Sequence, residues 1–350
     1  MNKHPRNGVD SSRTDCESGP VMVSAFKVSV IIPVFNATKF LRRAVVSALA
    51  QQETGEVILV EDGSVDDSLV LCGMLECEFP GRVRLIRHID GGNYGAGRSR
   101  NVGIQAARFD YLAFLDADDY YLDNRFVSDR EILSTDPSLD GVYDALGLDL
   151  SDDESGWWGE VGHHTGLVTL KPGIVPEVLL SEMDPLGISG SFTTDTILVH
   201  KRIFEKTQAV FSSLKFGEDT LLWMQFAACG RLAGGSLSVP VAMRGVHGGN
   251  SLRGLSDSRT HIGTVLESFE KWAADQRAIK GVQIILACAK IRFCHHWGEV
   301  FGVVCGHPRL ILKKKMWQSL FRWAFIRQFP EDPVLPGLFP RMRRKQRRAV

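Results

Sequence analysis

Val28-Ser29-Val30-Ile31-Ile32-Pro33-Val34-Phe35-Asn36 begins with a short apolar, β-branched run that stops at a proline. Such a run reads as a strand buried on both faces, because a half-exposed strand would alternate apolar and polar residues. Working outward, Phe40, Leu41, Ala44, Val45, Ala48 and Leu49 recur at helical spacing, with Thr38 as the expected N-cap. Val57-Ile58-Leu59-Val60 predicts a second buried strand, and Asp66 to Glu78 a helix. Val83 to Arg87 predicts a third strand, Ser99 to Ala107 a helix, and Tyr111 to Leu115 a fourth strand. Strands alternating with helices pair in parallel, so the expectation is a Rossmann-like α/β/α sandwich. In such sheets ligands gather beyond the carboxyl ends of the strands. The polar residues lie at those ends: Phe35-Asn36 after the first strand, Glu61-Asp62 after the second, Asp116 to Asp119 after the fourth.

Further along, Asp136 to Gly190 is rich in Gly, Asp and Pro and reads as variable loops. Phe192 to His200 predicts a strand, Arg202 to Lys206 a short helix, Glu218 to Cys229 a helix, and Ser236 to Arg244 a strand. From about Asp257 the chain reads as helical. Residues 1–26 are polar and unpatterned, and read as a loose leader.

Hydrophobic residues make up 44% of the 350 and charged residues 23%, which excludes a disordered chain. No run approaches the roughly 18 apolar residues of a spanning helix. Charges at Lys3, Arg6, Asp10, Arg13, Asp15 and Glu17 leave no apolar core for a signal peptide, so the seven cysteines are expected as reduced thiols in a cytoplasmic protein. The formal net charge of zero hides a polarity. Residues 306–350 hold twelve Lys or Arg against Glu331 and Asp332, so this end carries ten net positive charges and the remainder ten net negative.

Three segments carry candidate chemistry. Asp116-Ala117-Asp118-Asp119 gathers three carboxylates at a strand end, where they repel unless a cation sits among them. Mn²⁺ or Mg²⁺, hard and oxygen-preferring, would suit; an acidic surface turn is the plain alternative. Glu61-Asp62-Gly63-Ser64 offers carboxylates to a base N–H or a ribose hydroxyl, or is an ordinary strand-to-helix turn. Gly91 to Gly103 is glycine-rich ahead of a helix and carries Arg98 and Arg100, two cations that could meet a diphosphate. It does not fit the dinucleotide fingerprint, because Arg100 stands where the third glycine belongs.

Together these segments resemble glycosyltransferase family 2, inverting enzymes of the GT-A fold, over about Val28 to Leu252. Lys215-Phe216-Gly217-Glu218-Asp219 resembles the family's catalytic-base segment, and Arg244-Gly245-Val246-His247-Gly248-Gly249-Asn250-Ser251 is similar to the Arg-x-x-His…Asn-Ser that follows it. Arg98 stands where the family usually has alanine, and Phe35 where it often has tyrosine. The resemblance implies a GT-A sandwich with a mainly parallel mixed sheet over 27–255, nucleotide-binding to about 120 and acceptor-facing beyond, followed by a helical basic extension at 256–350. It implies that Pro33, Val34, Phe35, Asp62, Arg100 and Asp116 bind a nucleotide-sugar, with a UDP-sugar favoured. It assigns the metal to Asp118, Asp116 and His247, and the general base to Asp219 with Glu218 beside it. One base and no protein nucleophile mean single displacement on a hydroxyl acceptor, a glycan or a lipid-linked one, as in surface polysaccharide or glycolipid synthesis.

Two rival readings share parts of this pattern. A nucleotidyltransferase would carry a glycine-rich phosphate loop after the first strand, and Pro33-Val34-Phe35-Asn36 is not one. A catalytically silent nucleotide-sugar or glycan-binding protein has no need of intact Asp116, Asp118 and Asp219. In the tail, Trp317, Leu320, Phe321 and Ala324 share a helical face among basic residues. This suits either an anionic membrane surface at the inner face or the chain's own acidic body. Nucleic acid is not an expected partner, since the body is acidic and no recognition module is present.

Overall fold

The opening run is a strand, β1 (Val28–Val34), buried along its whole length. A computed structural model describes residues 26–150, 167–247, 258–275, 285–287 and 289–290. After β1 come α1 (Leu41–Ala50), β2 (Thr54–Glu61), α2 (Ser68–Glu78), β3 (Val83–Arg87), α3 (Ala96–Ala106) and β4 (Tyr111–Phe114), alternating as the sequence predicts. Then follow β5 (Tyr120–Tyr121), α4 (Val127–Thr135), β6 (Gly141–Tyr143), β7 (Ala145–Leu150), β8 (Leu167–Val168) and α5 (Leu179–Glu182). The last described elements are β9 (Ile197–His200), α6 (Arg202–Thr207), α7 (Glu218–Cys229), β10 (Leu232–Gly234), β11 (Pro240–Val246) and α8 (Ser258–Asp275).

Seven strands form one sheet in the order β10-β6-β9-β4-β1-β2-β3. β1 pairs in parallel with both β2 and β4, while β9 runs antiparallel between β4 and β6. The sheet is therefore mixed and mainly parallel, as expected. A smaller sheet, β5-β11-β7-β8, stands beside it. The pleat sends alternate residues of β1 to opposite faces. Val30 and Ile32 join one core with Leu41, Ala44, Val45 and Ala48 of α1. Ile31 joins the other with Leu222, Phe226, Val265 and Phe269 from α7 and α8. The described part of the C-terminal region thus shares a core with the sheet. On that face, Gly103 lets α3 approach β1: a Cβ there would lie 2.4 Å from Ile31 Cγ2.

Several boundaries differ from the sequence reading. Thr38 is not the cap of α1; Phe40 holds that position. The Thr38 hydroxyl instead donates to Asp66 Oδ2 at 2.6 Å, tying the loop after β1 to the loop after β2. The helix expected from Asp66 starts at Ser68, and the one expected from Ser99 starts at Ala96. The strand expected from Phe192 begins at Ile197, because Thr193 caps a 3₁₀ turn, Thr194–Thr196, with reciprocal hydrogen bonds to Thr196. The strand expected from Ser236 begins at Pro240, because the Ser236 hydroxyl closes a turn on the Val239 carbonyl at 2.7 Å. Within the stretch expected as loops, β6 is a buried strand and β7 is a strand buried over Ala145, Leu146 and Gly147.

Candidate active site

All ten residues singled out by the sequence line one cleft of about 1410 Å³ at the carboxyl ends of β1, β2 and β4: Pro33, Val34, Phe35, Asp62, Arg100, Asp116, Asp118, Glu218, Asp219 and His247. Of the last motif, Arg244 to His247 lie within the described residues; Gly248 to Ser251 do not.

Pro33 and Val34 end β1 and are buried, so the chain leaves the sheet at Phe35, whose ring is 48% exposed into the cleft. Asp62 follows β2 and is almost fully buried. Its Oδ1 accepts from the Tyr94 N–H at 2.7 Å and its Oδ2 from the Gly95 N–H at 2.8 Å. Asp62 therefore anchors the glycine-rich loop. His88, which the sequence reading passed over, lies 3.2 Å from Asp62 Oδ1 and 3.0 Å from the Ser99 hydroxyl.

Arg100, on the buried side of α3, joins the two halves of the cleft. Its Nη2 donates to Asp116 Oδ1 at 2.5 Å and its Nη1 to Glu218 Oε1 at 3.1 Å. Burial works against its charge, but Asp116 and Glu218 more than offset that and hold the guanidinium protonated. On the far side α7 begins at Glu218, after Gly217 turns the chain with a φ of 76° that favours glycine. Glu218 is pushed up to about 7 by burial and by the charge of Asp219, with Arg100 opposing. Asp219 accepts from the Thr220 N–H at 2.6 Å and from the Thr194 hydroxyl at 3.3 Å.

Around Asp116 the negative charge is dense. Asp116, Asp119 and Asp195 offer oxygens that lie within 4.8 Å of one another. Asp195 and Asp119 were not singled out by sequence as ligands. Asp195 is buried, accepts the Asp116 N–H at 2.9 Å, and is pushed up to about 6 by burial and by the Asp116 charge. Asp119 is pushed well up by burial and by Asp195, and accepts the Gly245 N–H at 2.9 Å. Arg244 reaches both, at 3.7 Å to Asp119 and 3.4 Å to Asp195. Asp118 is also raised, by burial and then by Asp116, and its Oδ2 lies 3.1 Å from His247 Nε2. The His247 ring stacks on Phe40 with centroids 4.6 Å apart. The structure thus brings Asp116 together with Asp119 and Asp195, and Asp118 together with His247; both groups are rich in carboxylate oxygens, the donor chemistry of a hard divalent cation.

Comparison with known proteins agrees with this fold. Residues 29–129 match Glycosyl transferase family 2. Among curated relatives, an uncharacterized glycosyltransferase of Nostoc sp. is 36% identical over 110 residues, covering 31% of this chain and 33% of that protein. One of Rickettsia typhi is 30% identical over 203 residues, covering 57% of this chain and 58% of that protein. This chain thus spans a third to three fifths of the length of these relatives. Among solved structures, S. aureus TarS 1-349 in complex with UDP-GlcNAc is similar with a TM-score of 0.56 at 17% identity, covering 85% of this chain and 79% of that one. The mannosyltransferase PcManGT of Pyrobaculum calidifontis, in complex with GDP-Man and Mn²⁺, gives 0.50 at 14% identity over 89% of each chain. The fold is that of GT-A glycosyltransferases.

Proposed function

We propose that this protein moves a sugar from a nucleotide-sugar to an acceptor hydroxyl by single displacement, inverting the anomeric centre. The observation that carries this reading is the convergence, through Arg100, of Asp116 with the Glu218-Asp219 pair in one cleft. Phe35 offers a ring face to the base, and Asp62 a carboxylate beside it. Asp219 takes the proton of the attacking hydroxyl, since an alcohol is a weak nucleophile at neutral pH. Arg100 keeps Glu218 and Asp116 at fixed positions while charge moves across the cleft. Asp116 and Asp118, with His247 beside them, would hold Mn²⁺ or Mg²⁺; Asp119 and Asp195, engaged by backbone N–H groups and Arg244, fix that set from behind. Bound there, a divalent ion offsets the charge that builds on the departing diphosphate. A UDP-sugar is the favoured donor, as in the TarS complex, and GDP-Man in PcManGT is the competing precedent. The acceptor is a glycan or lipid-linked sugar, and the basic residues 306–350, outside the described residues, would meet an anionic membrane surface. No helix among the described residues is long and apolar enough to cross a membrane.

The test is an NMR time course on a nucleotide-sugar with purified protein and Mn²⁺. The account expects nucleotide release and a product of opposite anomeric configuration. Asp219→Asn should lower kcat by about 10²–10⁴-fold, the usual contribution of a general base, while keeping nucleotide affinity. Retained configuration, or full turnover by the variant, contradicts the proposal.

A further inference from the structure

The cleft contains more cations than the transfer step uses. Arg100 and Arg244, at its floor, are each held by two carboxylates. Lys215 and Arg98 also line it, both are exposed, and neither has a carboxylate partner among the described residues. Lys215 sits on the loop leading into α7, four residues before Asp219. Its ammonium lies 5.6 Å from the centre of the Phe216 ring. Phe216 meets His261 of α8 edge to face, with ring centres 4.9 Å apart, and both rings line the cleft. Arg98, across the loop, stacks on Tyr94 at 4.2 Å. Its neighbour Gly97 packs tightly against the far side of the cleft, since a Cβ there would lie 3.0 Å from Glu218 Cγ and 3.2 Å from the Ser212 carbonyl. The turn carrying Arg98 and the loop carrying Lys215 therefore border the same stretch of cleft, next to the Glu218-Asp219 pair.

We infer that Lys215, Phe216 and His261, with Arg98 opposite, form an acceptor subsite for a sugar bearing an anionic group, a phosphate or a carboxylate. The inference rests on the proposed glycosyl transfer and deepens it. A group next to the general base faces the acceptor, because the base must reach the acceptor hydroxyl. The aromatic pair gives a sugar ring an apolar surface. The cleft floor is acidic and repels an anionic acceptor unless cations at the rim receive it. A neutral acceptor needs no such cations. The subsite draws His261 from α8, so the helix beyond the family-like region takes part in substrate choice.

The test measures binding of glucose, glucose 6-phosphate and glucuronate to the full chain by saturation-transfer NMR and calorimetry, with and without UDP or GDP plus Mn²⁺. At least one charged sugar should bind about tenfold more tightly than glucose, the scale of one charge-assisted hydrogen bond. The two charged arms separate phosphate from carboxylate. Lys215→Gln and Arg98→Gln, both exposed positions, should each remove most of that preference, and His261→Ala should weaken all three sugars alike. Equal binding of the three sugars overturns the inference. So does a loss of preference that merely tracks a loss of nucleotide affinity, which would give these cations to the donor diphosphate. The nucleotide titration without sugar is read separately: failure there sinks the glycosyl-transfer reading, while the sugar arms without nucleotide still decide the anion subsite.

Discussion

Glu218 and Asp219 are adjacent in sequence but differ in surroundings. Glu218 points to Arg100 and is pushed up to about 7, from an ordinary 4.5, by burial and the Asp219 charge. A group raised in this way favours the folded state when protonated. Its stabilisation is full below about pH 4.5 and is lost as pH rises through about 7. Glu218→Gln still accepts from Arg100 but does not titrate. Thermal melts from pH 4.5 to 8 should therefore show the wild type losing stability relative to the variant as pH rises; parallel curves would contradict this. At this scale the acidic motifs were legible, because Asp116, Asp118, Glu218 and Asp219 lie in short contiguous patterns. Asp195 was not. It stands alone in sequence, 79 residues from Asp116, and only the turn at Thr194–Thr196 aims it at the Asp116 N–H. The role of Asp62 in holding the glycine-rich loop was also hidden, since a backbone N–H partner leaves no mark in residue type.

At the scale of elements, the β1–β4 alternation was legible because β1, β2 and β4 are largely continuous apolar runs buried on both faces, while β3, at the sheet edge, is only partly buried and carries Arg84 and Arg87. β6 and β7 were not legible because β6 has three residues, Asp140 and Asp144 flank it, and Gly147 interrupts β7, all residue types that usually mark loops. Those acids are buried and bonded: Asp140 accepts from Arg202 and Lys206, and Asp144 from Arg125 and Ser128. Long-range partners of this kind turn loop-like composition into core strand. α3 meets β1 through Gly103, where a side chain would collide with Ile31. Gly103→Val should therefore cost about 1–3 kcal/mol, the range for overpacking a well-filled core. Urea unfolding would measure it, and an unchanged midpoint would show that α3 can shift away from the sheet at little cost.

At the scale of the whole molecule, the zero net charge joins an acidic body to a basic end. The body's carboxylates are partly explained by the cleft. The basic end lies outside the described residues, and its proposed contact with anionic lipid is open to direct test. Removal of residues 309–350 should reduce co-flotation with vesicles containing phosphatidylserine, with the loss greatest at low salt. Equal recovery of the truncated and full chains would assign the basic end to another partner, the acidic body among them.

The central claim, a nucleotide-sugar site in the cleft between Phe35, Asp116 and Asp219, is tested most directly by thermal shift against a panel of UDP- and GDP-sugars with and without Mn²⁺. A ligand that binds only the folded state at a hundred times its Kd adds about 2.7 kcal/mol of apparent stability. The account predicts that one donor class raises Tm by several degrees, that the rise depends on Mn²⁺, and that Asp118→Asn abolishes the metal dependence. No rise with any nucleotide-sugar, with or without Mn²⁺, would contradict it.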